Sequence, residues 1–227
     1  MKRRAWARPT PVSLASREYA SAPLDRGRTP WRLGHYCVVD LELSGLDPQV
    51  DEIISFAAVP VNAGRVTVGA AVSGLVRPTK PVAPASVLVH GLRTRDLSDA
   101  PVHDDALQPL LAAMTGRVLV AHEAWVEEAF LSRALARQGV RLRGPVIDTY
   151  QLARLWAGLG QRPRVPHDLS ALAVHLGLPV HRPHQAMGDA LTTAQLFITL
   201  ATLLEVVTSE TVSSLVNARR RAAFEDG

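Results

Sequence analysis

At 227 residues, with 47% hydrophobic and 20% charged side chains, the chain is long enough to bury one substantial core. No apolar run reaches the roughly 20 residues that span a bilayer, and no apolar signal segment opens the chain, so no membrane partner is expected. A single cysteine, Cys37, excludes an internal disulfide and fits a reducing, cytoplasmic setting. The net charge of +4 is unevenly placed: residues 1–33 hold eight basic and two acidic side chains, which leaves the remainder slightly acidic. Lys2, Arg3, Arg4, Arg8, Arg17, Arg26, Arg28 and Arg32, set among Pro, Ser and Ala, predict a disordered arm able to touch phosphates nonspecifically. The rest is no basic nucleic-acid-binding block, so any such contact there must be local.

Residues 35–43 predict a first strand, and Ser44-Gly45-Leu46-Asp47-Pro48 a turn. Residues 52–61 and 65–76 are apolar and β-branched and are joined by Asn62-Ala63-Gly64, a hairpin signal; three neighbouring antiparallel strands are expected. Arg77 to Pro101, rich in Pro and containing Val89-His90-Gly91-Leu92, reads as a long loop with one short helix. A helix at 104–114, a strand at 117–121 and a helix at 124–138 stopped by Gly139 come next. Val146-Ile147-Asp148 predicts a last strand, and the following helix carries Leu152, Leu155, Trp156 and Leu159 on one face. Residues 160–167 break the chain, Asp168 caps a short helix to His175, and a long helix spans 187–206. The organisation is a basic arm (1–33), one α/β domain (34–206) and a helical or disordered tail (207–227).

Chemistry concentrates in carboxylates. Asp40 and Glu42, two apart on the first strand, project from the same face. Such a pair in a half-buried cleft repels unless a cation sits between, and oxygen-only ligands suit Mg²⁺ or Mn²⁺ better than zinc. Val118–Leu131 sends a strand into a helix, where α/β sheets place their sites. Glu127, at the edge of the packed helix face, is the candidate there, with Glu123 and Glu128 as rivals. Near the end, His184 lies in the loop before the last helix and Asp189 in its first turn. Five residues are about 140° of helix, so His184 must act from the loop. A histidine beside carboxylates suits general-base work.

The ordered run of VVDLELSGLDPQVDEIISFAAV, VHGL, VLVAHEAWVEEAFL, VIDTYQLARL, LSALAVHLGLP and HQAMGDALTTAQLF resembles the DEDD superfamily of 3′–5′ exonucleases. Within it, the chain is similar to the histidine-containing (DEDDh) branch, of the kind of the epsilon proofreading subunit of bacterial DNA polymerase III. The resemblance covers roughly residues 34–205. It implies an RNase H-like fold with a mixed central sheet of about five strands flanked by helices. It also implies two divalent ions, Mg²⁺ or Mn²⁺, held by Asp40, Glu42, the central acid and Asp189, with His184 deprotonating the attacking water. Glu127 aligns with the family's central Asp, Glu123 stands where an Asn is usual after His122, and Leu43 replaces a Thr. Leu43, Ser44, His122 and Trp125 are the candidate substrate contacts.

The expected function is metal-dependent 3′–5′ exonuclease action on single-stranded DNA ends, releasing nucleoside 5′-monophosphates, by a free-standing enzyme or one associated with a DNA polymerase. The alternatives are an RNA exonuclease of the oligoribonuclease or RNase T kind, or a noncatalytic nucleic-acid-binding or polymerase-associated module.

Overall fold

Nine residues from His35 to Leu43 form β1, which runs through the middle of the sheet. Its alternate side chains enter two cores: Tyr36 and Val38 face one, Cys37, Val39, Leu41 and Leu43 the other. Both faces are apolar because helices cover both. β2 (Ile53–Asn62) lies antiparallel to β1. β3 (Arg65–Val66) and β4 (Val72–Leu75) both pair with β2. On the other side β5 (Val118–Ala121) and β6 (Ile147–Asp148) run parallel to β1, which gives the order β3-β2-β1-β5-β6. This computed structural model describes residues 10–25, 27–161 and 164–225.

The hairpin turn uses Ala63 and Gly64, both left-handed (φ 49° and 67°), which is the twist a tight antiparallel connection needs. The single strand expected over 65–76 is instead two strands with a 3₁₀ turn at Val68–Ala70 between them. Gly69, Ala70 and Ala71 offer little side chain to hold an edge strand, and the chain re-joins β2 further along. Gly74 lies opposite Phe56, and a Cβ there would meet the ring at 2.7 Å, so the glycine lets the ring lie on the strand.

The helices are α1 (Leu14–Ser21), α2 (Pro84–His90), α3 (His103–Ala106), α4 (Gln108–Met114), α5 (Trp125–Arg137), α6 (Thr149–Leu159), α7 (Leu169–His175), α8 (Ala186–Glu205), α9 (Val212–Val216) and α10 (Ala218–Glu225). The helix expected over 104–114 is interrupted after Ala106. Pro109 removes an amide donor and its ring crowds the carbonyl four residues back, so a new helix starts beside it. By length and composition α8 is apolar enough to cross a membrane, but Leu196, Phe197, Leu200 and Leu204 are fully buried under the sheet. It is the core helix of this domain.

Residues 1–9 and Arg26 lie outside the described residues, and with them Lys2, Arg3, Arg4 and Arg8. The rest of the basic arm is not the disordered segment its composition predicts. Ser13 and Ser16 form a reciprocal cap that starts α1. Tyr19 is 2% exposed, its hydroxyl accepts the Arg143 N–H at 3.0 Å, and the Arg143 guanidinium donates to the Tyr19 and Ala22 carbonyls. Trp31 is fully buried, edge-on to Phe197 at 6.1 Å. Two buried aromatics remove enough apolar surface from water to override a polar, Pro-rich composition.

The arm is also tied to the C-terminal segment. Trp31 N–H donates to Glu210 O (3.2 Å), Val212 N–H to Thr29 O (2.9 Å) and Ser213 N–H to Gly27 O (3.1 Å). The Glu210 side chain is fully buried and held by Arg221 at 2.8 Å, so α9 and α10 pack as part of the domain. Tyr19→Phe is expected to cost about 1 kcal/mol through the lost hydroxyl contact. A melting curve should show roughly 2–4 °C of destabilisation; no change would mean that α1 is not docked as described.

Candidate active site

One carboxylate oxygen each from Asp40, Glu42 and Asp189 lies within 4.8 Å of the other two. The first two arrive together because they are alternate residues of β1. Between Glu42 and Leu43 the pairing with β2 slips by a residue, a bulge that ends the regular ladder beside the site. Asp189 comes from the first turn of α8, and the backbone N–H of His184 donates to its Oδ2 at 2.8 Å.

Glu127, on α5, stands near this group. It is 6% exposed, and its Oε2 is buried without a hydrogen-bond partner among the described residues. Burial pushes its carboxyl up to about 8, with Asp148, Glu123 and Glu128 adding to the rise. Burial likewise raises Glu42 to about 7, helped by Asp189. Asp40 is held well above the usual carboxylate range by burial first and then by the charges of Glu127, Glu42 and Asp189. Asp189 is raised by burial, an effect partly offset by the His184 N–H. Glu127 is therefore close enough to act on Asp40, although it stands outside the tight three-residue group. Four carboxyl groups that resist ionisation, one with an orphaned oxygen, are a donor set that fits a hard divalent cation.

His184 lies in the loop before α8 with φ 58° and lines a cleft of about 480 Å³ together with Glu42, His90, Leu92 and Met187. Its loop rests directly on α8. A Cβ on Gly188 would meet the carbonyl oxygens of His181 at 2.3 Å and Arg182 at 2.4 Å, both backbone and unable to give way. Gly188→Ala must lift this loop, so we expect a loss of about 1–3 kcal/mol of stability from overpacking. Calorimetric melts check this, and an unchanged melting temperature would show that the loop moves freely.

His90 is not among the expected site residues, although its Val-His-Gly-Leu context stands out in the sequence. Its Nδ1 accepts the Leu92 N–H (3.1 Å), so Nε2 carries the proton toward Leu43 O (3.2 Å). The ring thus ties the end of α2 to the end of β1, one residue from Glu42. Burial lowers its pKa, and nearby His184 lowers it further.

The expected substrate contacts divide. Leu43 is 7% exposed in the core, and Ser44 is 2% exposed with its hydroxyl on Asp51 and on the Glu52 N–H. Neither side chain lines the cleft: Leu43 follows Val39 and Leu41 onto the face of β1 opposite Asp40 and Glu42, and Ser44 is tied down by the turn that follows. His122 is committed at both ring nitrogens, to Thr149 Oγ1 (2.9 Å) and His167 O (2.8 Å), and so holds the 164–168 segment rather than presenting a free ring. Trp125, 61% exposed at the start of α5, is open to a ligand. The rivals of Glu127 are occupied elsewhere: Glu123 pairs with His167 at 2.8 Å, and Glu128 accepts the Val146 N–H at 3.3 Å. Asp148 caps α6 and also accepts the N–H groups of Glu123 and Ala124, which fixes the turn leading to Glu127.

A mixed sheet flanked by helices, with acidic residues gathered at the end of its central strand, is the RNase H-like architecture of DEDD exonucleases. The RNase T exonuclease family profile matches residues 37–197, and the chain belongs to that family. An epsilon-like protein of DNA polymerase III from Rhodobacter capsulatus is 34% identical over 75% of this chain, which spans only 24% of that protein's length. The epsilon subunit of DNA polymerase III from Treponema pallidum is 30% identical over 73% of this chain and 75% of that protein. In fold, the chain is similar to E. coli exonuclease I in complex with a dT13 oligonucleotide, with a TM-score of 0.68 and 15% identity over 76% of this chain and 42% of the other.

Proposed function

We propose that the chain is a metal-dependent 3′–5′ exonuclease that removes nucleoside 5′-monophosphates from single-stranded DNA ends. The observation that carries this reading is the convergence of Asp40, Glu42 and Asp189 within 4.8 Å at a cleft that also holds His184. Two divalent ions, Mg²⁺ or Mn²⁺, held by these three carboxylates and Glu127, would supply Lewis-acid stabilisation of the attacking and leaving oxygens. His184, in the loop beside these carboxylates, takes the proton from the attacking water. Trp125, exposed at the start of α5 two residues before Glu127, gives a base a face to stack on. The epsilon relatives and the dT13-bound neighbour support DNA as substrate. Association with a DNA polymerase and a cytoplasmic location belong to the same reading.

A 5′-labelled single-stranded DNA oligonucleotide incubated with Mg²⁺, Mn²⁺ or EDTA tests it. The expected result is a ladder shortening from the 3′ end that needs metal. Labelled mononucleotide appearing first would reverse the polarity, and an intact strand beside degraded RNA would replace DNA by RNA as the substrate. If neither nucleic acid is cut under any condition, a binding module takes the place of the enzyme.

A further inference from the structure

The sheet face that carries the carboxylates continues into two serines. Asp40 pairs with Ala57, and Ala57 with Ser73; Glu42 pairs with Ser55, and Ser55 with Leu75. Residues directly opposed across strands share a face, so these make two adjacent rungs. With strands about 4.8 Å apart, Ser55 stands one strand from Glu42, and Ser73 two strands from Asp40. Ser55, Ser73 and Leu75 line the same cleft as Glu42 and His184. Neither serine hydroxyl has a hydrogen-bond partner among the described residues.

We propose that Ser55 and Ser73 read the sugar of the terminal nucleotide, so that a 3′-terminal ribonucleotide is accepted and held through its 2′-hydroxyl. This rests on the exonuclease reading above. A scissile phosphate at the carboxylates leaves the terminal sugar over the neighbouring rungs of the sheet, and there the nearest floor is small: Ser55 and Ala57, with Ser73 beyond them. The bulky side chain on these rungs, Leu75, stands beyond Ser55, two strands from Glu42. A serine hydroxyl both donates and accepts, as a 2′-hydroxyl does, so the two can pair. Leu75, Leu92 and Met187 supply apolar walls for a base.

Two single-stranded oligonucleotides separate sugar reading from exonuclease action: one entirely deoxy, the other identical but for a single 3′-terminal ribonucleotide. Release of the first nucleotide is measured with Mn²⁺ for wild type, the Ser55→Ala/Ser73→Ala double variant and Ser55→Val. Wild type should release the ribonucleotide at least as fast as the deoxynucleotide. The double variant should lower the ribo-to-deoxy ratio of kcat/KM roughly fivefold to tenfold, the effect of losing one to two hydrogen bonds. Ser55→Val should lower it further by crowding the 2′-oxygen. Each ratio is taken within one preparation, so partial unfolding of a variant cancels. An unchanged ratio in both variants, or a wild type that cuts the deoxy end and rejects the ribo end, overturns the proposal and leaves the exonuclease standing. Cleavage of neither end overturns the exonuclease reading and this one with it.

Discussion

Asp40→Asn is expected to lower kcat/KM by about 10³-fold or more while raising the melting temperature of the metal-free protein. The first half follows from the donor set: Asp40 is the carboxylate that feels all three of the others, so its loss weakens every cation held there. Metal stabilisation of charge at a phosphoryl centre amounts to several kcal/mol, and about 1.4 kcal/mol is a decade in rate. The second half follows from the same electrostatics with the sign reversed. Without a cation, Asp40 is one of four acids crowded into a partly desolvated site, and an isosteric amide removes its share of the repulsion. A residue that merely supported the fold would lose stability and activity together. Single-turnover kinetics with Mn²⁺ and thermal melts in EDTA decide the matter. A variant that melts below wild type in EDTA, or that keeps within tenfold of its activity, would remove Asp40 from the metal site.

How much of this is legible in the sequence depends on how local each feature is. Asp40 and Glu42 are readable because a two-residue spacing on a strand settles their shared face. His184 and Asp189 are readable because a loop-to-helix junction settles which of them belongs to which. The sequence puts Glu127 only at the edge of the helix face packed by Val126, Ala129 and Phe130, with Glu123 and Glu128 as rivals; the structure buries Glu127 while Glu123 and Glu128 find other partners. Tertiary pairings are out of reach. Leu43 follows the alternation of β1 into the opposite core, whereas the contacts that hold Ser44, to Asp51 and the Glu52 N–H, belong to the turn and the neighbouring strand and leave no mark on its spacing. His122 cannot be told from a free ligand without Thr149 and the His167 carbonyl, which are 27 and 45 residues away. The basic arm departs from its composition for the same reason: Tyr19 and Trp31 bury themselves against segments over a hundred residues distant, and composition carries no trace of that. Ser55 and Ser73 give no signal, because their relevance lies in which strands they oppose.

The largest stability effect expected is a fall in the metal-free protein as pH rises from about 4.5 toward 8, and its reduction when a divalent ion is added. Glu42 and Glu127 have an ordinary value of 4.5, raised to about 7 and about 8 in the folded chain. Between those limits the unfolded chain has released protons that the folded chain still holds. With fewer protons bound in the unfolded state, stability decreases with pH, the opposite of the usual behaviour of salt-bridged carboxylates. The stability these groups allow is thus complete below about 4.5 and progressively lost through 7 and 8. Raising one carboxyl's pKa tenfold in proton affinity corresponds to about 1.4 kcal/mol, and a chain of this size loses roughly 2–4 °C per kcal/mol, so the drop should exceed about 5 °C. A divalent ion binds only the ionised cage and opposes the slope: at a hundredfold excess over Kd it adds about 2.7 kcal/mol, and its effect grows with pH. Glu127→Gln separates the contributions, because it removes the group whose titration reaches highest. Its metal-free melting temperature should fall less steeply between pH 7 and 8 than that of wild type, and Mn²⁺ should raise it less. Equal pH slopes for the two proteins in EDTA would mean that Glu127 ionises freely in the folded state, and the fourth ligand would then have to be sought elsewhere.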